Sequence, residues 1–337
     1  MSIEVLKPGL LVTVQDLGRT GYGKYGLGRS GAMDGFAHRV ANWLVGNAES
    51  EAALEVTWSG FSVRFRQSML VSITGADLSP ESGGTPVPMW RPVWFRQGSE
   101  LAFKRPVSGC RAYVAVAGGV DSPQVLGSRS THLRAGIGGL NGRALQAGDV
   151  LHNKDSGRFG SPAASSRDFA EHVFFRAARW SAAPRPGYIR GNQAVRVTRG
   201  RQYDDFRAAD LRRFFEDSYR VKPESDRMGY RLSGPRLELR TPREYLSEGV
   251  ADGTVQVPAD GQPIILMADR QTLGGYPKIA QVVSADLPKV AQLSPGDAIR
   301  FREVSLDEAE QLYLARERGL RRLKTMIDVR LEGMFGC

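Results

Sequence analysis

The chain has 337 residues and a formal net charge of +10, and 41% of its residues are hydrophobic and 24% are charged. These proportions are typical of a soluble globular protein, and the length predicts two domains, each with its own core. No stretch approaches about 18 consecutive apolar residues, and Met1–Leu10 is too polar for a signal peptide, so neither a membrane span nor a secretory leader is expected. With only two cysteines, Cys110 and Cys337, the sequence offers no disulfide framework and no zinc site, which favours a reduced, cytoplasmic protein.

The positive charge comes from scattered arginines rather than from a basic helix or a strip with interleaved aromatics, so nucleic acid is not the expected partner. An anionic small molecule or an acidic protein partner suits this balance better. The histidines have no metal-ligand spacing, and no serine lies in a Gly-x-Ser-x-Gly elbow, so the sequence predicts neither a metal site nor a serine hydrolase. The histidines are His38, His132, His152 and His172.

A glycine-rich loop, Gln15–Gly35, follows the first predicted strand, Leu10–Val14. Gly18–Lys24 matches a phosphate-binding loop, but Tyr25 occupies the position where Ser or Thr must reach Mg²⁺. Two further matches follow the dinucleotide-binding fingerprint: Gly21–Gly26 and Gly26–Gly31. Each motif needs a helix that starts at the loop, whereas the next helix starts only at Asp34 and no βαβ series follows. We therefore interpret all three matches as coincidences.

The predicted helix after this loop has Asp34 as its N-cap, one apolar face and Gly46 as its stop, and His38 is expected at the surface. Short apolar runs separated by glycine or proline come next, and they predict a mostly antiparallel barrel or sandwich. These runs are Ala53–Trp58, Phe61–Phe65, Leu70–Thr74, Val93–Phe95, Leu101–Phe103 and Ala112–Ala117.

The stretch between Asn153 and Pro186 is rich in Ser, Ala, Pro and Arg, and residues 156–194 are predicted to be a linker region, with Phe169–Trp180 as a short helix or an irregular connection. The second half then opens with a strand, Val195–Thr198, and a helix from about Tyr203 to Tyr219. Near the end, Ser305 and Glu308 form a capping box for a C-terminal helix. That helix is expected to pack on the protein's own body, with partner binding as the alternative.

Two short segments echo each other in the two halves of the chain. Leu145–Leu151 reads LQAGDVL and Leu293–Ile299 reads LSPGDAI, and longer strand-like segments precede both in the same order. This repeat suggests duplication of one β-rich unit.

The stretch Gly261–Lys278, GQPIILMADRQTLGGYPK, combines a buried-strand signature with a polar loop. Gly274–Gly275 gives that loop conformational freedom, and a rigid strand that ends in such a loop is a common way to hold reactive side chains. The longer segment Ser247–Ile279 resembles the hallmark of the family formed by the C component of 5-oxoprolinase, which is also described as allophanate hydrolase subunit 2, as the Kip antagonist and as a biotin-dependent carboxyltransferase group. Other segments that resemble the family are Gln15–Arg19, Gly31–Asp34, Ser72–Leu78, Tyr113–Gly119, Leu126–Thr131, Asp226–Leu232 and Pro295–Phe301.

The resemblance implies a mainly β fold with two cyclophilin-like β-barrel halves and a few peripheral helices. The expected division is an N-terminal barrel over 1–155, a linker over 156–194, a C-terminal barrel over 195–304 and a helix with its tail over 305–337. It also implies that the chain is component C of a complex that opens 5-oxoproline to glutamate with ATP, together with a Kip-inhibitor-like component B and a component A. Two alternatives remain: a carboxyltransferase component of a biotin-dependent urea or amide carboxylase, and a regulatory protein that antagonises a kinase inhibitor.

Opening a lactam with ATP requires cations for phosphate and carboxylate, a base for water and donors for a developing oxyanion. Arg227, Arg270 and Lys278 are the candidate cations, and Asp226 or Asp269 is the candidate base. The predicted catalytic residues are Asp226, Asp269, Gln271 and Lys278, and the predicted substrate-binding residues are Arg227, Tyr230, Thr272, Gly274, Gly275 and Tyr276. The alternative left open is structural: Asp226 and Arg227 form a local pair, and Asp269 caps a turn.

Overall fold

The structure is a computed structural model that describes residues 2–154, 173–183 and 194–335. Contacts within the chain divide it into two units. The N-terminal unit comprises Met1–Arg19, Ser30–Ile189 and Leu320–Cys337, and the C-terminal unit comprises Thr20–Arg29 and Arg190–Gly319. Both units are discontinuous along the chain, whereas the predicted division consists of four consecutive segments. Most of the predicted linker lies outside the described residues, as do His172 and Cys337.

The N-terminal unit contains a helix, α1 (Gly35–Leu44), and thirteen strands among its described residues. The strands are β1 (Ser2–Pro8), β2 (Leu11–Gln15), β3 (Ala53–Thr57), β4 (Phe61–Phe65), β5 (Met69–Asp77), β6 (Pro80–Ser82), β7 (Thr85–Pro86), β8 (Pro92–Phe95), β9 (Glu100–Phe103), β10 (Ser108–Val116), β11 (Val120–Asp121), β12 (Val150–Asn153) and β13 (Phe175–Ala177). The sequence prediction missed β1. It also missed β13, which pairs with β8 where a short helix or an irregular connection was expected.

These strands form two antiparallel sheets that share one apolar core. The first sheet has the order β11-β12-β1-β4-β9-β6-β7 and the second has the order β13-β8-β5-β10-β3-β2. Buried side chains of both sheets belong to a single cluster, and Phe65 of the first stacks on Phe95 of the second with ring centroids 4.4 Å apart. Alternating apolar residues therefore produce the double-layered β architecture that their pattern predicts.

Helix α1 packs on the outer face of the second sheet, where Thr74 and Ser72 donate hydrogen bonds to its backbone carbonyls. Its predicted N-cap is confirmed, because the Asp34 carboxylate accepts from the backbone N–H of Ala37 at 3.0 Å. The prediction that His38 lies at the surface is wrong. His38 is fully buried, with Nε2 3.1 Å from the carbonyl oxygen of Gln15, because the helix is covered on nearly every side.

The C-terminal unit is built on one eight-stranded sheet and a two-stranded ladder. Its strands are β14 (Val195–Arg199), β15 (Tyr219–Val221), β16 (Gly229–Ser233), β17 (Glu248–Gly249), β18 (Thr254–Gln256), β19 (Ile264–Leu266), β20 (Leu273–Gly274), β21 (Lys278–Val282), β22 (Ala298–Ile299) and β23 (Phe301–Glu303). The large sheet has the order β22-β15-β16-β19-β18-β21-β14-β23, and β17 pairs with β20. Only the pairing of β14 with β23 is parallel among the described strands.

Two short helices belong to this unit, α2 (Ala208–Glu216) and α3 (Leu287–Ala291). The sequence predicted α2 as far as Tyr219, but the backbone becomes extended at Asp217 and Tyr219 begins β15. Buried aromatic side chains fix this corner, where Phe214 of α2 stacks on Phe301 with ring centroids 4.5 Å apart.

The last helix, α4 (Leu306–Phe335), starts as the capping box predicts, because the backbone N–H of Glu308 donates to Ser305 Oγ at 3.0 Å. Leu320, Ile327 and Leu331 are buried in the same cluster as α1, so this part of the helix packs on the protein's own N-terminal unit. The predicted fold class, mainly β with cyclophilin-like halves and few helices, is confirmed. Within the described ranges, no helix has the length and apolar character that crossing a membrane requires.

The echoed segments form the same turn in each unit. In one, the Asp149 carboxylate accepts from the N–H of Gln146 at 2.7 Å; in the other, the Asp297 carboxylate accepts from the N–H of Ser294 at 2.7 Å. The two turns also exchange equivalent backbone hydrogen bonds with a valine, which is Val5 for the first and Val221 for the second. This shared local structure is what the duplicated sequence predicts.

Candidate functional site

The two segments that carry the predicted site residues meet in the C-terminal unit. Strand β16 pairs with β19, which brings Gly229 opposite Leu266. The chain on either side is tied as well, because the N–H of Asp269 donates to the carbonyl of Arg227 at 2.8 Å. The sheet therefore places the loop before β16 against the loop after β19.

Arg227 and Asp269 form a buried ion pair at this junction. Arg227 Nε donates to one carboxylate oxygen of Asp269 at 2.9 Å and a terminal nitrogen donates to the other at 3.0 Å. The side chains are only 4% and 6% exposed. A bidentate guanidinium–carboxylate contact is strong and fixed in geometry, so the pair holds the two loops in register. The use of Asp269 as a base stays a prediction.

A second pair, Arg270 with Asp252, lies beside the first. A terminal nitrogen of Arg270 contacts the Asp252 carboxylate, and Arg270 Nε donates to the carbonyl of Val250 at 3.2 Å. The sequence prediction missed Asp252, although it lies in the hallmark segment. Its partner is 18 positions away along the chain and comes into reach through the β17–β20 ladder. We refer to Arg227, Asp252, Asp269 and Arg270 as the charge cluster.

Electrostatics distinguish Asp252 within the charge cluster. Burial raises the pKa of its carboxyl group above the usual value, and the negative charge of Asp269 acts in the same direction. The guanidinium groups of Arg270, Arg29 and Arg227 act against that rise. The net pKa is raised, so this carboxyl takes up a proton more readily than an aspartate in water. A carboxyl with a raised pKa amid fixed cations is the kind of group that acid–base catalysis uses.

Lys278 holds in place the loop of residues 269–277, which we call the hallmark loop. Its Nζ donates to the carbonyls of Gly274 at 3.2 Å and Tyr276 at 3.3 Å and lies 3.5 Å from a carboxylate oxygen of Glu248. The residue is 6% exposed. Three acceptors therefore surround a buried ammonium group that has three N–H donors. This arrangement gives Lys278 a positioning role, and its predicted contact with anionic groups stays a prediction.

Gln271 and its neighbours form the polar edge of the same loop. Gln271 is exposed, with Nε2 3.4 Å from Oε1 of the buried Gln256. Gly274 packs directly on Gln256, and a Cβ there would lie 2.4 Å from Nε2 of that side chain. A larger residue here would therefore displace the Gln256 amide, which explains part of the Gly-Gly pair. Thr272 contributes its carbonyl, which accepts from the N–H of Val250 at 3.1 Å.

Two predicted site residues make their hydrogen bonds to residues outside the charge cluster. Asp226 carries a carboxylate that accepts from the N–H groups of Met228 at 2.8 Å and Gly229 at 3.2 Å, which makes it the cap of a turn. Tyr230 is buried, and its hydroxyl donates to the carbonyl of Ala291 at 3.2 Å. The structural alternative gave the turn cap to Asp269 and the pairing with Arg227 to Asp226, whereas Asp226 caps the turn and Asp269 pairs with Arg227.

An open cavity of about 710 Å³ lies next to the hallmark loop, and Gly275 and Tyr276 line it. Its other walls come from the strand end at Val257–Ala259 and from the segments around Phe206 and Tyr245. Among the described residues, no group of three or more His, Cys, Asp or Glu side chains could hold a metal ion.

In the N-terminal unit, two further family-like segments meet at Asp16. Its carboxylate accepts from the hydroxyls of Ser128 and Ser130 and from the N–H groups of Gly18 and Arg129, at 2.5–2.7 Å. Burial alone would raise the pKa of Asp16, but these hydrogen bonds together lower it. The sequence identified the segments and not their meeting point, since the contacts join residues more than 100 positions apart.

The fold and these segments define a carboxyltransferase-domain protein. Residues 25–303 match the family model described as carboxyltransferase domain, subdomain A and B, and the chain belongs to this family. It is 39% identical to the C subunit of 5-oxoprolinase from Haemophilus influenzae over 97% of this chain and 99% of that protein. It is 40% identical to the C subunit of 5-oxoprolinase from Escherichia coli over 91% of this chain and 93% of that protein. The resemblance found in the sequence is thereby confirmed.

A solved structure gives the same result for the fold. The chain aligns with the crystal structure of the K. lactis urea amidolyase with a TM-score of 0.83 and 31% identity, over 96% of this chain. That alignment covers only 20% of the urea amidolyase chain, so the likeness is to one part of a much longer protein.

Proposed function

We propose that this chain is the C subunit of a cytoplasmic, ATP-dependent 5-oxoprolinase, which opens the lactam of 5-oxo-L-proline to L-glutamate. One observation supports this choice: the two 5-oxoprolinase relatives match nearly end to end, whereas the urea amidolyase matches over a fifth of its chain. A chain that matches those relatives nearly end to end is suited to the same place in a complex.

The charge cluster offers groups that this reaction needs. A lactam carbonyl is a poor electrophile, and transfer of a phosphoryl group from ATP to its oxygen would make it a better one. The guanidinium of Arg270 is oriented by Asp252 and by the carbonyl of Val250, so it is preorganised for an anionic group of the substrate. Asp252, when ionised, would accept a proton from the attacking water, and Gln271 would orient the amide at the exposed edge of the loop.

The proposed function also requires partner chains. The relatives are named as subunits, which implies partners, and we propose that these are a Kip-inhibitor-like component B and a component A. The four residues of the charge cluster are arginines and aspartates and include no hydroxyl, thiol or amine nucleophile. We propose that the complete site also includes groups from a partner.

The test measures glutamate and ADP release from 5-oxoproline and ATP with the purified chain alone, with each partner and with both. We expect turnover only when both partners are present. Full activity of the lone chain would contradict a shared site, and an inactive complete complex would contradict the proposed reaction.

A second candidate function is carboxyl transfer to a urea-like amide from carboxybiotin. The family description and the urea amidolyase structure favour it. Incorporation of labelled bicarbonate into urea, with a biotin carboxylase and carrier supplied, separates the two candidates. We expect no label in urea, and clear incorporation would favour the carboxyltransferase instead.

A further inference from the structure

The open cavity beside the hallmark loop has an apolar floor and a charged rim. Its floor is formed by buried residues, chiefly Phe206, Leu237, Val257 and Pro277. A volume of about 710 Å³ falls in the range of about 300–1,000 Å³ that sites for drug-sized ligands occupy. It is far larger than 5-oxoproline needs, so the cavity suits a bigger ligand with one flat, weakly polar end.

Three arginines, Arg207, Arg236 and Arg243, lie on the rim. Their side chains are 52–61% exposed, so each can reach a ligand without being drawn from a buried position. Arg207 and Arg236 share a single carboxylate partner, Glu238, and Asp205 serves Arg243. Glu244 also lines the cavity, so three guanidinium groups face two lining carboxylates, Glu238 and Glu244. The rim still has more guanidinium N–H donors than these acceptors use, which favours an anionic ligand.

Two tyrosine rings complete the cavity. Tyr276, in the hallmark loop, is 50% exposed, and Tyr245 lies under the guanidinium of Arg243, which is 4.9 Å from its ring centroid. The exposed ring of Tyr276 and the half-buried ring of Tyr245, beside an apolar floor, provide flat surfaces on which a heteroaromatic ring stacks. Exposed arginines near such rings are suited to phosphate groups.

We propose that this cavity binds a nucleoside triphosphate, with its base against the tyrosines and the apolar floor and its phosphates at Arg207, Arg236 and Arg243. The proposal rests on the proposed function, since that reaction uses ATP. It places the nucleotide next to Gly275 and Tyr276, in the loop that Lys278 holds and that continues to the charge cluster.

The test is equilibrium binding of ATP to the purified chain, measured by calorimetry and by displacement of a fluorescent ATP analogue. We expect Arg236→Gln and Tyr276→Ala each to weaken binding about tenfold or more, because they remove a phosphate ligand and a stacking surface. Tyr276→Phe retains the ring and should bind as the wild type does. Arg212→Gln is the matched control, because Arg212 is an exposed arginine of α2 outside the cavity lining.

Several outcomes would overturn this assignment. They are the absence of saturable ATP binding, unchanged affinity in both Arg236→Gln and Tyr276→Ala, and equally tight binding of inorganic triphosphate, which has no base. The assembled complex separates this proposal from the proposed function. If the complex turns over 5-oxoproline but the cavity variants bind ATP normally, only the nucleotide site is wrong. If the chain binds ATP as expected but the complete complex is inactive on 5-oxoproline, only the substrate assignment is wrong.

Discussion

At the scale of single residues, Asp252 carries a carboxyl group that its surroundings make a better proton acceptor than an aspartate in water. We expect Asp252→Asn to lower turnover of the assembled complex by about a hundredfold or more, since general acid–base groups contribute about 10²–10⁴-fold. Because its pKa is raised, Asp252 ionises at a higher pH than an aspartate in water, so the acidic limb of the pH–rate profile should lie above pH 3.8.

The pH–rate profile and the melting temperature of the same preparations provide the measurement. Asp260→Asn is the matched control, because Asp260 is exposed and its carboxylate accepts a local hydrogen bond, from the N–H of Gln262 at 3.0 Å. Turnover within twofold of the wild type in Asp252→Asn would remove Asp252 from the proposed chemistry.

Lys278 and Gln271 provide a contrast within one loop. Lys278→Met leaves the carbonyls of Gly274 and Tyr276 and the carboxylate of Glu248 without their donor, and such loss costs about 1–3 kcal/mol. We expect its melting temperature to fall by several degrees together with its activity. Gln271→Ala changes an exposed side chain, so turnover should fall about tenfold at an unchanged melting temperature. An unchanged melting temperature in Lys278→Met would contradict the positioning role.

The sequence anticipated part of this site for a physical reason. Arg227 and Asp269 lie in segments with recognisable patterns, and pairing of β16 with β19 was enough to bring them together. The partnership of Asp252 with Arg270 depends on the β17–β20 ladder, whose strands have two residues each and leave no periodic signal. The local pattern also could not distinguish Asp226, the cap of a turn, from the buried Asp269.

At the scale of elements, the C-terminal helix α4 packs through a seam of three buried residues, Leu320, Ile327 and Leu331. They belong to the same apolar cluster as buried residues of α1. We expect Ile327→Ala to lower the free energy of unfolding by about 2–5 kcal/mol, since it opens a cavity in a packed cluster. Met326→Ala should change it by no more than about 0.5 kcal/mol, because Met326 is 66% exposed. Denaturant unfolding of both variants is the measurement. Equal free energies of unfolding for the two variants would mean that these side chains do not hold α4 in its packed position.

The prediction was accurate for two strands of this chain and wrong at the end of one helix. The apolar runs of β3 and β4 mark strands of a sheet with a face in the core, and their bounds agree with the prediction to within a residue. Helix α2 was predicted too long because Tyr219 continues its apolar spacing, although that side chain is buried as part of β15. His38 was misplaced because a polar residue on a helix is normally exposed, whereas this one meets the carbonyl of Gln15.

At the scale of the whole molecule, the charge of +10 bears on partner binding. We expect association with an acidic protein partner to slow by about tenfold or more between low and high salt, because screening shortens the reach of the positive field. Stopped-flow or surface-binding measurements of the association rate at several ionic strengths test this. A rate independent of salt would mean that the net charge has no part in assembly.

The overall architecture was predictable because many short segments each report the same β pattern, and the repeated turn points to two related units. Membership of those units was not predictable for Thr20–Arg29 or for the second half of α4. Both assignments depend on contacts between residues far apart in the chain, which periodicity and composition do not record.

The paired turns make each unit a guide for engineering the other. Both turns have glycine at the third position, with φ of +89° at Gly148 and +91° at Gly296, and a backbone hydrogen bond closes each from the fourth residue to the first. Pro295 occupies the second position of one turn, where Ala147 occupies the other. Ala147→Pro should therefore stiffen the unfolded chain without disturbing the fold and add about 0.4–1 kcal/mol to the free energy of unfolding. A loss of stability in denaturant unfolding would mean that the two turns are not interchangeable.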